Sequence, residues 1–462
     1  MASILPDSRQ NEKLNSRVIR FFKQAKIGTF LHQSNIHKEK GFSALFLVKF
    51  IFSLVLQGKN LYRTLESGRL SDAPAKDAVY DLLKRTTYNW RKFLVLVSTH
   101  LIEYVRPLTS MDRDRVLILD DSTYDRNRSK AVELLSRVKD HATGKYVKGF
   151  RMLTLGWSDG ATFLPLAFSL LSSKKASNRY QEINPAIDKR TVGYRRRKEA
   201  IQKGTETMFT LLDEINPLQL CAKFLLFDSW FAYPTIIKRV VTNYPLHVVC
   251  MIKRSPKVHY TYEGENYTLN QLYKKVRKKR GRARILASVL VGLGADENGK
   301  EVQARIIFVR DRNRSKKWLA LLTTNLNHSE EDAVRIYGKR WAIECFFKVT
   351  KSHLRLAKEF QCRSYDALTA HTTIVFIRYM MLAISSREEE DPKTIGQLFY
   401  VCCDEVEDIR FTEALLMILE LLGSMLAEDF LLDDEQIQQF LDRFFNNLPN
   451  FLRKSLLNQS VA

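Results

Sequence analysis

The stretch from Tyr337 to Lys351 gathers side chains that can handle charge. It reads Tyr-Gly-Lys-Arg-Trp-Ala-Ile-Glu-Cys-Phe-Phe-Lys-Val-Thr-Lys and has no proline, and no glycine after Gly338. An acidic start at Ser329 to Asp332 precedes it, so a helix is expected through the whole stretch. At about 100° per residue, Tyr337, Arg340, Glu344, Lys348 and Lys351 fall within roughly 60° of one line along that helix. Ile336, Ile343, Phe347 and Leu354 form an apolar stripe about 100° away. One side then packs on a core, and the neighbouring side offers a single carboxylate among cations. A carboxylate can ligate a metal ion, and Arg and Lys on adjacent turns can hold phosphate oxygens. The alternative for the same face is a solvated surface with i,i+3 and i,i+4 ion pairs.

Two upstream runs deliver further acids. Val116-Leu117-Ile118-Leu119 is a four-residue apolar run that ends at Asp120-Asp121-Ser122-Thr123, the pattern of a buried strand with acids at its carboxyl end. Phe224-Leu225-Leu226-Phe227 ends likewise at Asp228. An Asp closing a buried strand often serves as a turn former or helix cap instead. Asp120 and Asp121 are adjacent and alternate faces on a strand, so either can supply the first acid. Asp159, in the turn Ser158-Asp159-Gly160, reads as structural.

The spacing Tyr337-x2-Arg340-x3-Glu344-x6-Lys351 resembles the Tyr-Arg-Glu-Lys signature of DDE transposases in the insertion sequence family four. The resemblance covers roughly residues 115 to 352 and implies two aspartates leaving strands upstream, matched by Asp120 and Asp228. The family pattern of Asp, any residue, then Ser or Thr fits Asp120-Asp121-Ser122 and also Asp121-Ser122-Thr123; Asp120 is taken as the first acid. Asp120, Asp228 and Glu344 would then be both the catalytic residues and the metal ligands. Three converging carboxylates repel unless divalent cations neutralise them. Hard oxygen donors favour Mg²⁺, with Mn²⁺ as a substitute. Two ions about 3.5–4 Å apart suit an in-line phosphoryl displacement.

The resemblance further implies that Tyr337, Arg340 and Lys351, with Lys348 beside them, hold phosphate at the scissile end. Trp318, in Trp-Leu-Ala-Leu-Leu-Thr, resembles the insertion-domain tryptophan on which a flipped base stacks, although a strand Trp commonly belongs to a core. The implied reaction is a nick at the element end, attack by the freed 3′-hydroxyl, and strand transfer into target DNA. The expected partners are double-stranded element ends and target, with a homodimer assembled on DNA. Two other readings of the same residues are a catalytically silent DNA-binding regulator and a metal-dependent nuclease that stops after hydrolysis.

Composition agrees with a polyanionic partner. The 462 residues carry 74 Lys and Arg against 51 Asp and Glu, a formal net charge of +23. An excess that large fits nucleic acid, with a ribosome-bound or membrane-surface protein as the alternative. Six cysteines show no metal-ligand spacing, and most sit among apolar residues, as free buried thiols in a reducing compartment do. The run Phe42 to Leu56 is too short to span a membrane and contains Lys49. A cytoplasmic, nucleoid-associated protein without membrane attachment is expected.

The elements that must position these residues follow from periodicity. The fold class expected is α/β: a ribonuclease-H-like catalytic core with a β-rich insertion, flanked by helical N- and C-terminal regions. Residues 1–110 are helical, with helices at Gly41 to Gly58, Leu61 to Glu66, Asp77 to Arg85 after a start at Ser71-Asp72-Ala73-Pro74, and Tyr88 to Val105. This region suits DNA binding or equally a packing layer. Residues 111–252 form the first part of the core, with strands at Gly149 to Trp157, Thr162 to Leu171 and Leu246 to Ile252, and helices at Lys198 to Leu212 and Tyr233 to Val241. Residues 253–326 are the insertion, with strands around Tyr260 to Tyr267, Arg284 to Leu293, Glu301 to Arg310 and Trp318 to Thr324. Residues 327–360 carry the signature helix. Residues 361–462 are helical, with Tyr365 to Ser386 followed by a polar link at Arg387 to Lys393. The basic runs Tyr194 to Lys198 and Lys274 to Arg284 are candidates for DNA backbone contact.

Overall fold

The computed structural model describes residues 17–66, 74–110, 112–140, 143–279, 283–311, 317–388, 394–430 and 434–448. Six helices come first: α1 (Arg17–Gln24), α2 (Ile27–Gln33), α3 (Ala44–Leu54), α4 (Leu61–Glu66), α5 (Lys76–Lys84) and α6 (Trp90–Val105). The start at Ser71 to Ala73 lies outside the described residues. Ser43 caps α3 through Phe46 N and Asn89 caps α6 through Lys92 N, which sets both helix starts. The helix expected at Gly41 to Gly58 is therefore shorter than its apolar run, because the Ser43 cap starts it late and a turn after Leu54 ends it.

Strands then alternate with helices. β1 (Val116–Asp125), β2 (Ser136–Lys139), β3 (Tyr146–Ser158) and β4 (Phe163–Leu171) precede α7 (Val192–Ala200) and α8 (Gly204–Asp213). β5 (Phe224–Phe227), α9 (Pro234–Asn243) and β6 (His247–Ile252) follow, then β7 (His259–Tyr262), β8 (Glu265–Thr268) and α10 (Leu269–Lys275). Next come β9 (Ile285–Ala295), β10 (Glu301–Arg310), β11 (Trp318–Thr323), α11 (Glu330–Gly338) and α12 (Trp341–Ser352). α13 (Tyr365–Glu388), α14 (Ile395–Phe430) and α15 (Asp434–Asn447) close the described chain.

All eleven described strands join one mixed sheet in the order β2-β3-β1-β5-β6-β11-β10-β9-β7-β8, with β4 also on β3. β3 runs antiparallel to β1 and β4, whereas β5 is parallel to β1 and β6 parallel to β5. The β-rich segment is not set apart: β11 pairs antiparallel with β6, from Ala320 against Ile252 to Thr323 against Val249, so the sheet continues into it. β7 and β8 turn at Glu263 and Gly264, both at positive φ (52° and 80°), the two-residue turn whose twist suits a hairpin.

Helices cover the sheet beside β3 and β4. α6 packs on β4, and α13 packs on α5, α6 and β4. α13 is long and apolar enough to cross a membrane, yet its apolar window is buried entirely inside the protein, as a core helix is. Two expected helices are broken. Lys198 to Leu212 divides into α7 and α8 around Gln202 and Lys203, where Gln202 N turns back to Glu199 O at 2.9 Å. The helix expected through Tyr337 to Lys351 divides at Lys339 and Arg340, between α11 and α12. The expected link at Arg387 to Lys393 is helical to Glu388, and residues 389–393 lie outside the described residues.

Candidate active site

The parallel pairing of β1 and β5 puts Leu119 beside Phe227, so Asp120, within β1, and Asp228, the residue just past β5, each follow directly from that pair. β1 does not end at its acids, as expected, but continues to Asp125 against β3. Asp120 therefore lies inside a ten-residue strand, 7% exposed. The period-two alternation of a strand sends Asp120 and Asp121 to opposite faces. Asp121 forms an ion pair with Arg151 of β3, and Asp120 with Arg340.

The break between α11 and α12 is what brings Arg340 there. Arg340 is the N-cap residue of α12, and three-residue bonds (Arg340 N to Tyr337 O, 3.0 Å; Ile343 N to Arg340 O, 3.2 Å) carry the chain through a tight turn. Lys339 is pulled beneath that turn, its Nζ donating to the carbonyls of Asp114 and Asp159. Arg340 then spans two elements, donating to Asp120 on β1 and to Glu344 Oε1 at 3.3 Å, one turn along α12. α12 is fixed by its apolar side. Ile336, Ile343, Phe347 and Leu354 are all buried, as their stripe requires. Phe346, outside that stripe, is buried too, with Phe163 of β4 at 5.2 Å and Phe376 and Tyr379 of α13 at 4.8 Å.

Burial pushes the Asp120 carboxyl up to about 7, with Glu344 and Asp228 adding to the rise and Arg340 only partly opposing it. Asp228 is also raised, chiefly by burial, although the backbone N–H of Trp230 donates to it at 2.8 Å. Burial raises Tyr337 as well, and its hydroxyl is buried with no hydrogen-bond partner among the described residues. That hydroxyl lies within the electrostatic reach of Asp120, Asp228 and Arg340. Lys351 donates to Ser122 Oγ at 2.6 Å, and burial lowers its pKa. Lys348 is exposed.

The structure thus brings together Asp120, Asp228, Glu344, Tyr337, Arg340 and Lys351. Among the described residues no group of three or more His, Cys, Asp or Glu side chains is gathered closely enough to hold a metal ion as it stands. Arg340 stands between Asp120 and Glu344 as their compensating cation. The donor set nonetheless suits a hard divalent ion: carboxylate oxygens, one of them poorly neutralised, beside a buried hydroxyl without a partner among the described residues.

The other residues singled out by the sequence fare differently, each for a visible reason. Trp318 is half-buried, stacked on Tyr273 at 4.4 Å, edge-on to Phe308 and covered by Arg254 at 3.7 Å. It also lines a small cleft of about 320 Å³ with Ser229, the residue after Asp228. In the run Tyr194 to Lys198, Arg197 is 1% exposed and paired with Glu133 and Asp366, while Arg196 is buried and bonded to Asn89. Those two arginines are internal ties, and a DNA backbone has no access to them. Of the run Lys274 to Arg284, residues 280–282 lie outside the described residues, and Lys275 is engaged by Glu263 and Tyr267. Asp159 accepts from Thr109, Ala161 and Thr162, the structural role expected of it. All six cysteines are free and Cys250, Cys362 and Cys402 are buried, but Cys345, next to Glu344, is exposed.

Sequence reading missed several neighbours of the site. Arg151 pairs with Asp121, and Lys253 stands 3.5 Å above the half-exposed ring of Trp230. Only the tryptophan carried a local signal, two residues after a strand-end acid.

Fold and site together define a mixed α/β protein with acids on adjacent strands facing a helix that carries a third. Residues 54–313, more than half of the chain, match the family described as DDE superfamily endonuclease, and the chain belongs to that family, one of nuclease and transposase-type enzymes. The match contains Asp120 and Asp228, begins within α3, and ends before α11 and α12. No curated protein matches the sequence.

Proposed function

We propose that this chain is a DNA transposase of the insertion sequence family four type, with Asp120, Asp228 and Glu344 as its acidic triad. The observation that carries the reading is the bridge made by Arg340. It ties Asp120 of β1 to Glu344 of α12, while Asp228 follows directly on β5, one residue past the Leu119–Phe227 pair. The strand order β4-β3-β1-β5-β6, antiparallel on one side of β1 and parallel on the other, supports a ribonuclease-H-like core extended by β11 to β7.

In this reading Asp120, Asp228 and Glu344 hold Mg²⁺, which supplies Lewis-acid activation of the attacking oxygen and charge relief for the leaving one. The side chains do the rest. Arg340 and Lys351 bind phosphate oxygens by charge-assisted hydrogen bonds and hold the scissile group in line. Tyr337 offers its buried hydroxyl as a donor to the same phosphate, which would satisfy an atom without a partner among the described residues. Phe346, packed on β4 and α13, fixes the height of Glu344 above the sheet. A freed 3′-hydroxyl seated in the same place as the attacking water would carry out strand transfer, so one arrangement serves both steps.

The experiment is cleavage of DNA bearing the inverted repeats that flank the coding region, with Mg²⁺ and with chelator. Asp120→Ala, Asp228→Ala and Glu344→Ala should each lower cleavage by roughly 10³-fold or more while binding persists. Full cleavage by Glu344→Ala would sink the assignment. Full cleavage by Asp120→Ala would transfer the first role to Asp121.

A further inference from the structure

Next to the acids the fold opens a cleft of about 1240 Å³. One wall is the loop after β1, residues 126–132, and the other comes from the loop after α12, between residues 356 and 363. Thr123 and Asp125 of β1 also line it, and Lys351 links it to the acids, since that side chain both lines the cleft and donates to Ser122, two residues from Asp120.

The charge in this cleft is one-sided. Arg126, Arg128, Lys130, Lys351, Lys358 and Arg363 line it, against two acids, Asp125 and Asp140. Two of the cations have work inside the protein. Arg126 forks onto the carbonyls of Ala357 (2.9 Å), Phe360 (3.1 Å) and Cys362 (3.3 Å), and so clamps one wall to the other. Lys351 is held by Ser122. The remaining four, Arg128, Lys130, Lys358 and Arg363, are exposed and form no ion pair among the described residues.

The walls that carry them are built rather than loose. Gln181 donates to the Lys130 carbonyl at 3.2 Å, Ser129 N to Arg126 O at 2.8 Å, and Glu133 N to the Arg363 carbonyl at 2.9 Å. Four uncommitted cations on two pinned walls repel one another, a cost that an anionic ligand removes. They stand on both walls of a cleft of about 1240 Å³, a volume far beyond what one compact anion would fill. A chain of phosphates could fill it, with each cation replacing one condensed counterion.

We infer that this cleft seats the sugar–phosphate backbone of DNA running away from the scissile phosphate past Lys351. The inference rests on the endonuclease reading of the acids and adds to it a second, purely electrostatic contact surface. The backbone has two sources, the cleaved element end itself or a second duplex that receives the joined strand; their chemistry is the same.

The test uses the full chain and a long random-sequence duplex, with affinity titrated over KCl. One variant carries Arg128→Gln, Lys130→Gln, Lys358→Gln and Arg363→Gln. A second removes the same charge from exposed positions elsewhere, with Lys174→Gln, Lys175→Gln, Lys189→Gln and Lys203→Gln. A third keeps the cleft's charge with Arg128→Lys, Lys130→Arg, Lys358→Arg and Arg363→Lys. The cleft variant should flatten log K against log[salt] by up to ~3–4, and the other two should keep the wild-type slope. An unchanged slope in the cleft variant, or equal flattening in the second, would overturn the inference.

The source is then read from two further assays. Affinity lost only for an end duplex that extends beyond the scissile bond assigns the cleft to the element end. Loss confined to joining into a second duplex assigns it to the target. Metal-dependent cleavage by the wild type with no slope change would defeat the cleft alone, whereas a slope change without any cleavage would defeat the endonuclease reading alone.

Discussion

Glu359 and Asp120 are both buried carboxylates paired with an arginine, and they titrate in opposite directions. Burial by itself would raise Glu359, but Arg378 and His371 more than reverse that and hold it down to about 2. Arg378 reaches Oε2 at 2.6 Å and Oε1 at 3.0 Å, with His371 Nε2 at 2.9 Å from Oε2. The same guanidinium donates to the carbonyls of Phe52 and Ile51, so α3, α13 and the chain after α12 meet in a closed set. Asp120 has one arginine, shared with Glu344, and two further carboxylates nearby, and burial prevails to push it up to about 7. Both acids are removed from water; what differs is the supply of donors. A cluster that fastens the fold satisfies every oxygen within the protein. The site leaves charge uncompensated, and an outside cation or a change of partner can supply what is missing.

The largest effect that tests this contrast is on stability. Glu359→Gln should cost about 3–5 kcal/mol, because it leaves Arg378 buried without its counter-charge. Asp120→Asn should cost nothing or stabilise, since ionising Asp120 opposes folding, a common trade at functional sites. Denaturant unfolding of both variants measures the difference, and equal losses would erase the contrast. The pH dependence has matching signs. Glu359 has a folded value of about 2, below its ordinary value, so its contribution is present above the ordinary carboxylate range and disappears as pH falls towards 2. Asp120 is raised, so its contribution is lost as pH climbs from the ordinary range towards about 7. The acid-side fall in Tm should shrink in Glu359→Gln, and the Asp120→Asn variant should lose the decline on the neutral side.

A smaller effect separates grip from chemistry within the site. Arg340→Ala and Lys351→Ala keep all three carboxylates, so Mg²⁺ binding by calorimetry should survive. Single-turnover cleavage of pre-bound end DNA should slow by roughly 30- to 1000-fold, about 2–4 kcal/mol in the transition state. Affinity for long DNA should move far less, because many cations share that load. Unchanged rates in both variants would reduce the basic side of α12 to a solvated face.

The smallest expected effect lies in the β-rich segment. Neutralising Lys274, Arg277 and Lys279, exposed in and after α10, should flatten the salt dependence of DNA affinity by up to ~3 and leave the bound-state rate untouched. An unchanged slope would put that run in solvent. Lys275 is left out because Glu263 and Tyr267 already engage it.

Much of the frame was legible because its signals are local. Val116 to Leu119 and Phe224 to Phe227 are short apolar runs that read as buried strands, and both are buried throughout. The β7–β8 hairpin followed from Glu263-Gly264, and the side of α12 that packs followed from Ile343 and Phe347. β2 was not legible: Ser136-Arg137-Val138-Lys139 has no apolar run and becomes a strand only because β3 offers it a partner. α10 was hidden among basic residues and starts from a capping box of Thr268 and Gln271.

By itself the sequence determined which residues are candidates for chemistry and most of the local elements around them. Residue type, the strand period of two and the helical spacing of Arg340, Glu344 and Lys351 act over a few neighbours, and a few neighbours are enough to set them. The tertiary structure alone decided which of the adjacent acids Asp120 and Asp121 faces α12 and which faces Arg151. It also broke the helix expected through Tyr337 to Lys351 at Lys339, whose ammonium is drawn to carbonyls of Asp114 and Asp159 far away in the chain. And it divided the arginines, placing Arg197 and Arg378 inside as fasteners and leaving Arg128 and Arg363 at a cleft. An arginine looks the same in sequence whether it is buried or free. Its role depends on whether a carboxylate from a distant segment arrives beside it, and that is settled only when the segments pack.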